Sequence, residues 1–114
     1  MTDCLFCKMI AGEIQPDVVY EDDTVLAFRD INPQASTHVL VVPREHIATI
    51  NDLDTAHAEL VGRLFLAAKE VARQEDIHEK GYRTVMNCNA EAGQTVFHLH
   101  LHVLGGRPMG WPPG

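Results

Sequence analysis

Between Asp54 and Gln74 the apolar residues Leu60, Leu64, Ala67, Ala68 and Val71 recur at spacings of three and four, with Glu59, Arg63, Lys69, Glu70 and Arg73 around the rest of the circumference. That period predicts one long amphipathic helix. Elsewhere the apolar runs are short. Val18-Val19-Tyr20 and Val25-Leu26-Ala27-Phe28 flank the turn-like Glu21-Asp22-Asp23-Thr24 and predict a hairpin. His38-Val39-Leu40-Val41-Val42 is β-branched, too short for a stable helix and ended by Pro43, which predicts a buried central strand. Tyr82 to Asn87 and Val96 to Leu104 predict two more strands, separated by the turn-rich Asn89-Ala90-Glu91-Ala92-Gly93. A short helix from Cys4 to Ala11, capped by Asp3 and stopped by Gly12, carries Leu5, Phe6, Met9 and Ile10. The order α-β-β-β-α-β-β predicts an α+β fold: a five-stranded antiparallel sheet, one short helix, and one long helix covering a sheet face.

Composition narrows the picture without changing it. The 114 residues fit a single domain, 1–114, whose Pro- and Gly-dense stretch 105–114 reads as a tail. Apolar residues are 46% and charged residues 22%, ordinary for a globular chain, and no run approaches the ~20 apolar residues of a membrane span. Met1-Thr2-Asp3-Cys4 lacks the basic start and apolar run of a secretory signal, so the expected location is the cytoplasm. A net charge of −7 offers no basic field for a nucleic-acid backbone. In a reducing compartment Cys4, Cys7 and Cys88 are expected as thiols or metal ligands.

The chemistry gathers near the end of the chain. His98, His100 and His102 alternate with Leu99, Leu101 and Val103, so a strand places three imidazoles on one face and three aliphatic side chains on the other. One isolated histidine reads best as a satisfied, half-buried polar group; three in register point to a site. All three cannot easily reach one ion, because positions i and i+4 of a strand lie ~13 Å apart, although two at i and i+2 can. The other reading is nucleophilic and acid–base chemistry: a central imidazole, held in one tautomer, attacks phosphorus, and its neighbours stabilise oxygens or protonate the leaving group. Ahead of the ladder, Ala92-Gly93-Gln94-Thr95-Val96 offers a flexible residue, an amide and a hydroxyl, the groups that phosphate oxygens bind. His57 and His78 read as solvated side chains.

The run His98-Leu99-His100-Leu101-His102-Val103-Leu104 resembles the signature of the histidine triad (HIT) superfamily. Cys4 to Ile14, Asp30 to Ala35, Thr37 to Leu40, Gly81 to Arg83 and Trp111 to Gly114 extend the resemblance, and they resemble its Hint branch of nucleotide-binding proteins. The resemblance implies a homodimer with a continuous shared sheet, a purine nucleoside monophosphate or phosphoramidate as ligand, and hydrolysis of the P–N bond through a nucleotidyl-histidine. Carried over by position, it makes His100 the nucleophile, His102 a phosphate ligand or proton donor, and His38 a support for the nucleophile. Asn87, Gly93, Gln94, Thr95 and the Val96 amide would hold the phosphate and leaving group, with Thr95 among the catalytic residues. Asp30 would take the ribose hydroxyls; Leu5, Phe6, Met9, Phe28, Arg29 and Ile31 would surround the base; Trp111 would reach toward the partner's site. Thr95 stands where Ser is common, Ala92 where Gly is frequent, and Gly110 where a polar residue is usual.

For Cys4-x-x-Cys7 the spacing alone permits a redox pair, plain buried thiols, or two ligands of a tetrahedral metal site completed by histidines. A redox pair normally joins a strand to a helix in a βαβ unit, which this order lacks. The resemblance to zinc-carrying bacterial members implies a structural Zn2+ held by Cys4, Cys7, His46 and His98, with no organic cofactor. Two other functions compete: a metal-dependent hydrolase using ladder histidines as ligands, and a scaffold that binds nucleotides without turnover.

Overall fold

A computed structural model of the chain describes residues 3–114. Its elements are α1 (Leu5–Ile10), β1 (Val18–Glu21), β2 (Val25–Arg29), β3 (Thr37–Pro43), α2 (Ala58–Gln74), β4 (Tyr82–Val85) and β5 (Leu101–Gly105). The five strands form one antiparallel sheet in the order β1-β2-β3-β5-β4, the α+β arrangement the pattern predicts.

Strand β3 is buried along its whole length because both sheet faces are covered. On one face Val39 and Val41, with Val25, Ala27, Leu101 and Val103, pack against Leu64, Ala67, Ala68, Val71 and Ala72 of α2. On the other, Leu40 and Val42 join Leu26, Phe28 and Phe6 beneath α1. Side chains alternate along a strand, so His38 belongs with Leu40 on the α1 face.

Four boundaries depart from the sequence reading, each for a physical reason. Helix α1 is capped by Cys4, whose Sγ accepts the Cys7 amide at 3.3 Å, and not by Asp3. It ends where Gly12 takes the left-handed φ of +83°, which suits a residue without a Cβ. Helix α2 starts at Ala58, because a single 3₁₀ turn, Thr55–His57, precedes it. There Nδ1 of His57 accepts the Asp54 amide at 3.1 Å, so His57 closes a capping box and is not merely solvated.

Strand β5 starts at Leu101 and not Val96. Its antiparallel partner β3 reaches Pro43, which has no N–H to give, and the Pro43 carbonyl is taken by His98 Nε2 at 2.8 Å. The Leu99 amide goes instead to the Ile47 carbonyl at 2.7 Å. Strand β4 stops at Val85, paired with His102, because the ladder it follows stops nearby. Beyond β5 the Gln34 carbonyl accepts from Arg107 and the Gly110 carbonyl from Arg83, and Trp111 is 83% exposed.

Candidate active site

The early end of β5 does not break the alternation. Leu99 and Leu101 enter the α2-side core, while His98, His100 and His102 lie on the α1 side. Phe6 stands edge-on to His98 and His100, with ring centroids 5.8 and 5.2 Å away, and His100 is 5.1 Å from His102.

Hydrogen bonds fix which nitrogen of each ring carries its proton, through the backbone for His100 and His38 and through His38 for His102. His100 Nδ1 is 2.7 Å from the His98 carbonyl, which can only accept, so Nδ1 bears the hydrogen and Nε2 keeps a free lone pair. His38 Nδ1 accepts the Gln34 amide at 3.0 Å, so in the neutral ring the proton sits on Nε2. That Nε2 faces two acceptors, His102 Nδ1 at 2.9 Å and Asp30 Oδ2 at 3.4 Å. His102 Nδ1 is thereby an acceptor, and its Nε2 is left as the donor. His38 therefore supports His102, one rung beyond the expected nucleophile.

Charge is unwelcome on His102 and His38. Burial lowers the pKa of His102 to about 4, with the nearby His100 and His38 adding to the effect. Burial also lowers His38, against the opposing pull of the Asp30 carboxylate. A proton on His102 Nδ1 would confront the His38 N–H, so near neutral pH His102 is an uncharged hydrogen-bond donor.

Asp30, His38 and His102 place three possible ligand atoms within 4.8 Å of one another. A metal on His38 Nε2 would require the hydrogen on Nδ1, directly against the Gln34 amide. The polarity of that relay argues for hydrogen bonding there and against a catalytic ion.

A cavity of about 900 Å³ opens over this row. Leu5, Phe6, Met9, Phe28, Arg29, Asp30, Ile31, His38, Thr95, Val96, His100 and His102 line it, so twelve of the expected site residues come together. Leu40, Ile14, Gln15, Pro16, Asp17, Asn32 and Gln34 line it too and were missed. Leu40 was discoverable, lying two residues from His38 on the same strand face. The Arg29 guanidinium is spent on Glu75, in a bidentate pair of 2.7 and 2.9 Å that holds the Glu75 carboxyl below its usual range. Ile31 is 98% exposed at the rim.

Asn87, Gly93, Gln94 and Trp111 are not among the lining residues. Gln94 is buried, and its side chain organises the loop: Oε1 accepts the Asn89 amide at 2.8 Å, and Nε2 donates to the Ala48 and Val96 carbonyls at 2.9 and 3.1 Å. Gly93, with φ of +89°, closes the turn just before it. Thr95 remains exposed beside the cavity.

At the other end of the row, Cys4, Cys7, His46 and His98 direct four donor atoms into one cluster. His98 donates its Nε2–H to Pro43, so its Nδ1 lone pair is free to face the sulfurs. Nδ1 of His98 lies 3.3 and 3.6 Å from the Cys4 and Cys7 sulfurs, and Nδ1 of His46 lies 3.3 Å from Cys7 Sγ and 3.2 Å from His98 Nδ1. A tetrahedron with Zn–S of ~2.3 Å and Zn–N of ~2.05 Å has S–N edges of about 3.6 Å and an N–N edge of about 3.3 Å. The cluster matches those edges to within a few tenths of an ångström, and two thiols with two imidazoles are a zinc-type donor set.

The family model described as "HIT domain" matches residues 11–109. Over 108 residues the chain is 50% identical to the purine nucleoside phosphoramidase of Escherichia coli (strain K12), covering 95% of this chain and 91% of that protein. It is 49% identical to the 14 kDa zinc-binding protein of Zea mays, with 96% of this chain and 87% of that one covered. The crystal structure of a HIT family hydrolase from Legionella pneumophila Philadelphia 1 superposes with a TM-score of 0.96 at 54% identity, covering 98% of this chain and 100% of that one. A match through the whole sheet and the histidine row leaves a single assignment: the chain belongs to the HIT domain family.

Proposed function

We propose that this protein hydrolyses the P–N bond of purine nucleoside phosphoramidates through a covalent nucleotidyl-His100 intermediate. The carrying observation is the 2.7 Å bond from His100 Nδ1 to the His98 carbonyl, which aims a bare Nε2 at the cavity. The half-identical purine nucleoside phosphoramidase supports the substrate class. The base would lie against Leu5, Phe6, Met9, Phe28 and Ile31, with Asp30 toward the ribose.

His100 Nε2 attacks phosphorus as the P–N bond breaks. The electron pair leaves on nitrogen, and the departing amine takes a proton relayed from water by the Thr95 hydroxyl. His102 donates its Nε2–H to a phosphoryl oxygen throughout; held neutral, it is a ligand of the phosphate and a poor acid. The hydroxide left by that water then attacks phosphorus as the P–Nε2 bond breaks, releasing nucleoside monophosphate and returning the electron pair to Nε2. Asn87 and Gly93 would shape the phosphate side indirectly.

Zinc would be held by Cys4, Cys7, His46 and His98, where it supplies structure by tying α1 to the nucleophile's loop. Cys4, Cys7 and Cys88 are not joined in disulfides, which suits a cytoplasmic enzyme; no helix among the described residues is long and apolar enough to cross a membrane. The free edge of β4 and the exposed Phe65, Leu66 and Trp111 support a homodimer that continues the sheet and brings Trp111 to the partner's site.

The deciding experiment is mass analysis of protein quenched during turnover of adenosine 5′-monophosphoramidate. A nucleotidyl adduct on the His100 peptide, lost along with hydrolysis in His100→Ala while nucleoside monophosphate still binds, is the expected result. Undiminished activity in the variant would refute the assignment.

A further inference from the structure

Cys4 and Cys7 occupy the N-cap and first turn of α1, and both are only partly buried. Their sulfurs lie within 4.8 Å of one another in the cluster with His46 and His98. A second, open cavity of about 400 Å³, lined by Cys4, His46, Ala48 and Thr95 among others, leads from solvent to this cluster. Side chains at i and i+3 of a helix have Cβ atoms ~5–6 Å apart, and a disulfide needs ~3.5–4.5 Å. A bridge across this first turn therefore needs rotation of both side chains and a backbone shift of ~1–2 Å, at a point where Cys4 is the extended N-cap and not part of the helix itself.

We propose that Cys4 and Cys7 form a redox modification site: a hydroperoxide joins them in a disulfide within α1, which releases the zinc and loosens the helix over the nucleotide cavity. The proposal rests on the zinc reading above. The two thiolates surrender two electrons as the S–S bond forms. The peroxide O–O bond accepts them, takes two protons from solvent, and leaves as water and the corresponding alcohol, or as water alone from hydrogen peroxide. Stripped of both sulfurs, the ion keeps only His46 and His98 and is lost to any competing chelator.

The effect on the site runs through Phe6, which sits between the two cysteines in sequence. Its ring is 3% exposed and stands edge-on to His98, His100 and Phe28. Leu5 and Met9 of the same helix line the nucleotide cavity. A helix of six residues has almost no stability of its own. The metal tie holds this wall in place, and without it the pocket for the base softens while His100 keeps its own bond to the His98 carbonyl.

The test starts from reduced, full-length protein whose zinc content has been measured, treated with hydrogen peroxide beside a chromogenic zinc chelator. Expected are one zinc released per Cys4–Cys7 disulfide found by peptide mass and α1 amides exchanging about tenfold faster or more. KM should rise several-fold while kcat holds within about twofold, since binding and not chemistry is weakened. A dithiol plus zinc should reverse all three changes, and Cys88→Ser should behave like its parent. Zinc retained while peroxide is consumed, oxidation confined to Cys88, or a disulfide formed with exchange and KM unmoved would each overturn the proposal and leave the zinc reading standing. Reduced protein that holds no zinc would instead bring down the zinc reading, and this proposal with it.

Discussion

Gln94 sits in a run whose residue types read as a phosphate cradle, yet its amide is fully engaged inside the protein with Asn89, Ala48 and Val96. Removing a buried group that satisfies several partners costs ~1–3 kcal/mol for each group left unpaired. Gln94→Ala should therefore lose about 2–4 kcal/mol of stability in urea unfolding and raise KM as Thr95 and Val96 shift. Activity lost at unchanged stability would restore the direct phosphate contact. The sequence carried no sign of this role, because one partner, Ala48, lies 46 residues away. The histidine row was legible for the opposite reason, since alternation is local and survives even where the strand does not. His38 lies between: its place on the site face follows from strand period, but its tautomer depends on the Gln34 amide. His38→Gln should cut kcat by roughly 10–100-fold, the usual loss when the partner that orients a working imidazole goes, and change the Kd of nucleoside monophosphate by less than about threefold. An equal rise in Kd would place His38 in binding instead.

Helix α2 was readable from its period because one apolar stripe against one sheet face determines it. Its core residues Leu64 and Val71 are fully buried, on the face opposite the histidines. Leu64→Ala should destabilise the protein by about 2–5 kcal/mol, through lost burial and the cavity left behind. Per folded molecule, kcat/KM should stay within about twofold, because the sheet separates α2 from the nucleotide cavity. Denaturant unfolding together with kinetics on the soluble fraction checks both halves, and a matched fall in kcat would show coupling through the sheet. The start of β5 was not readable, because it is set by Pro43 and His98, 55 residues apart in the chain. Short α1 carries hardly two turns of pattern, so its amphipathic stripe indicates a helix but not the face of the sheet it covers. Family resemblance, and not periodicity, pointed to its place beside the base.

At the scale of the whole molecule, the site costs stability wherever pH falls. His102 is folded neutral with a pKa of about 4, while in the unfolded chain it titrates near its ordinary 6.5. Above the unfolded pKa both states are uncharged there, and the folded protein has its full stability. Between the two values only the unfolded chain takes up the proton, so stability falls as pH falls, and below about 4 no further loss comes from this residue. A depression of this size is worth roughly 3 kcal/mol, a large share of the ~5–15 kcal/mol that holds an ordinary domain together. Burial lowers His38 in the same direction, so its loss adds to that of His102. Acid would also displace a zinc held by Cys4, Cys7, His46 and His98, so the parent's curve alone does not isolate His102. Urea unfolding of parent and His102→Asn from pH 7.5 to 4.0 separates the effects, because both proteins share Cys4, Cys7, His46 and His98 and only the parent carries the depressed imidazole. The parent should lose about 2–3 kcal/mol more than the variant across that range. Parallel curves would mean that His102 accepts its proton in the fold, making it an acid for the leaving amine and not a neutral donor to the phosphate.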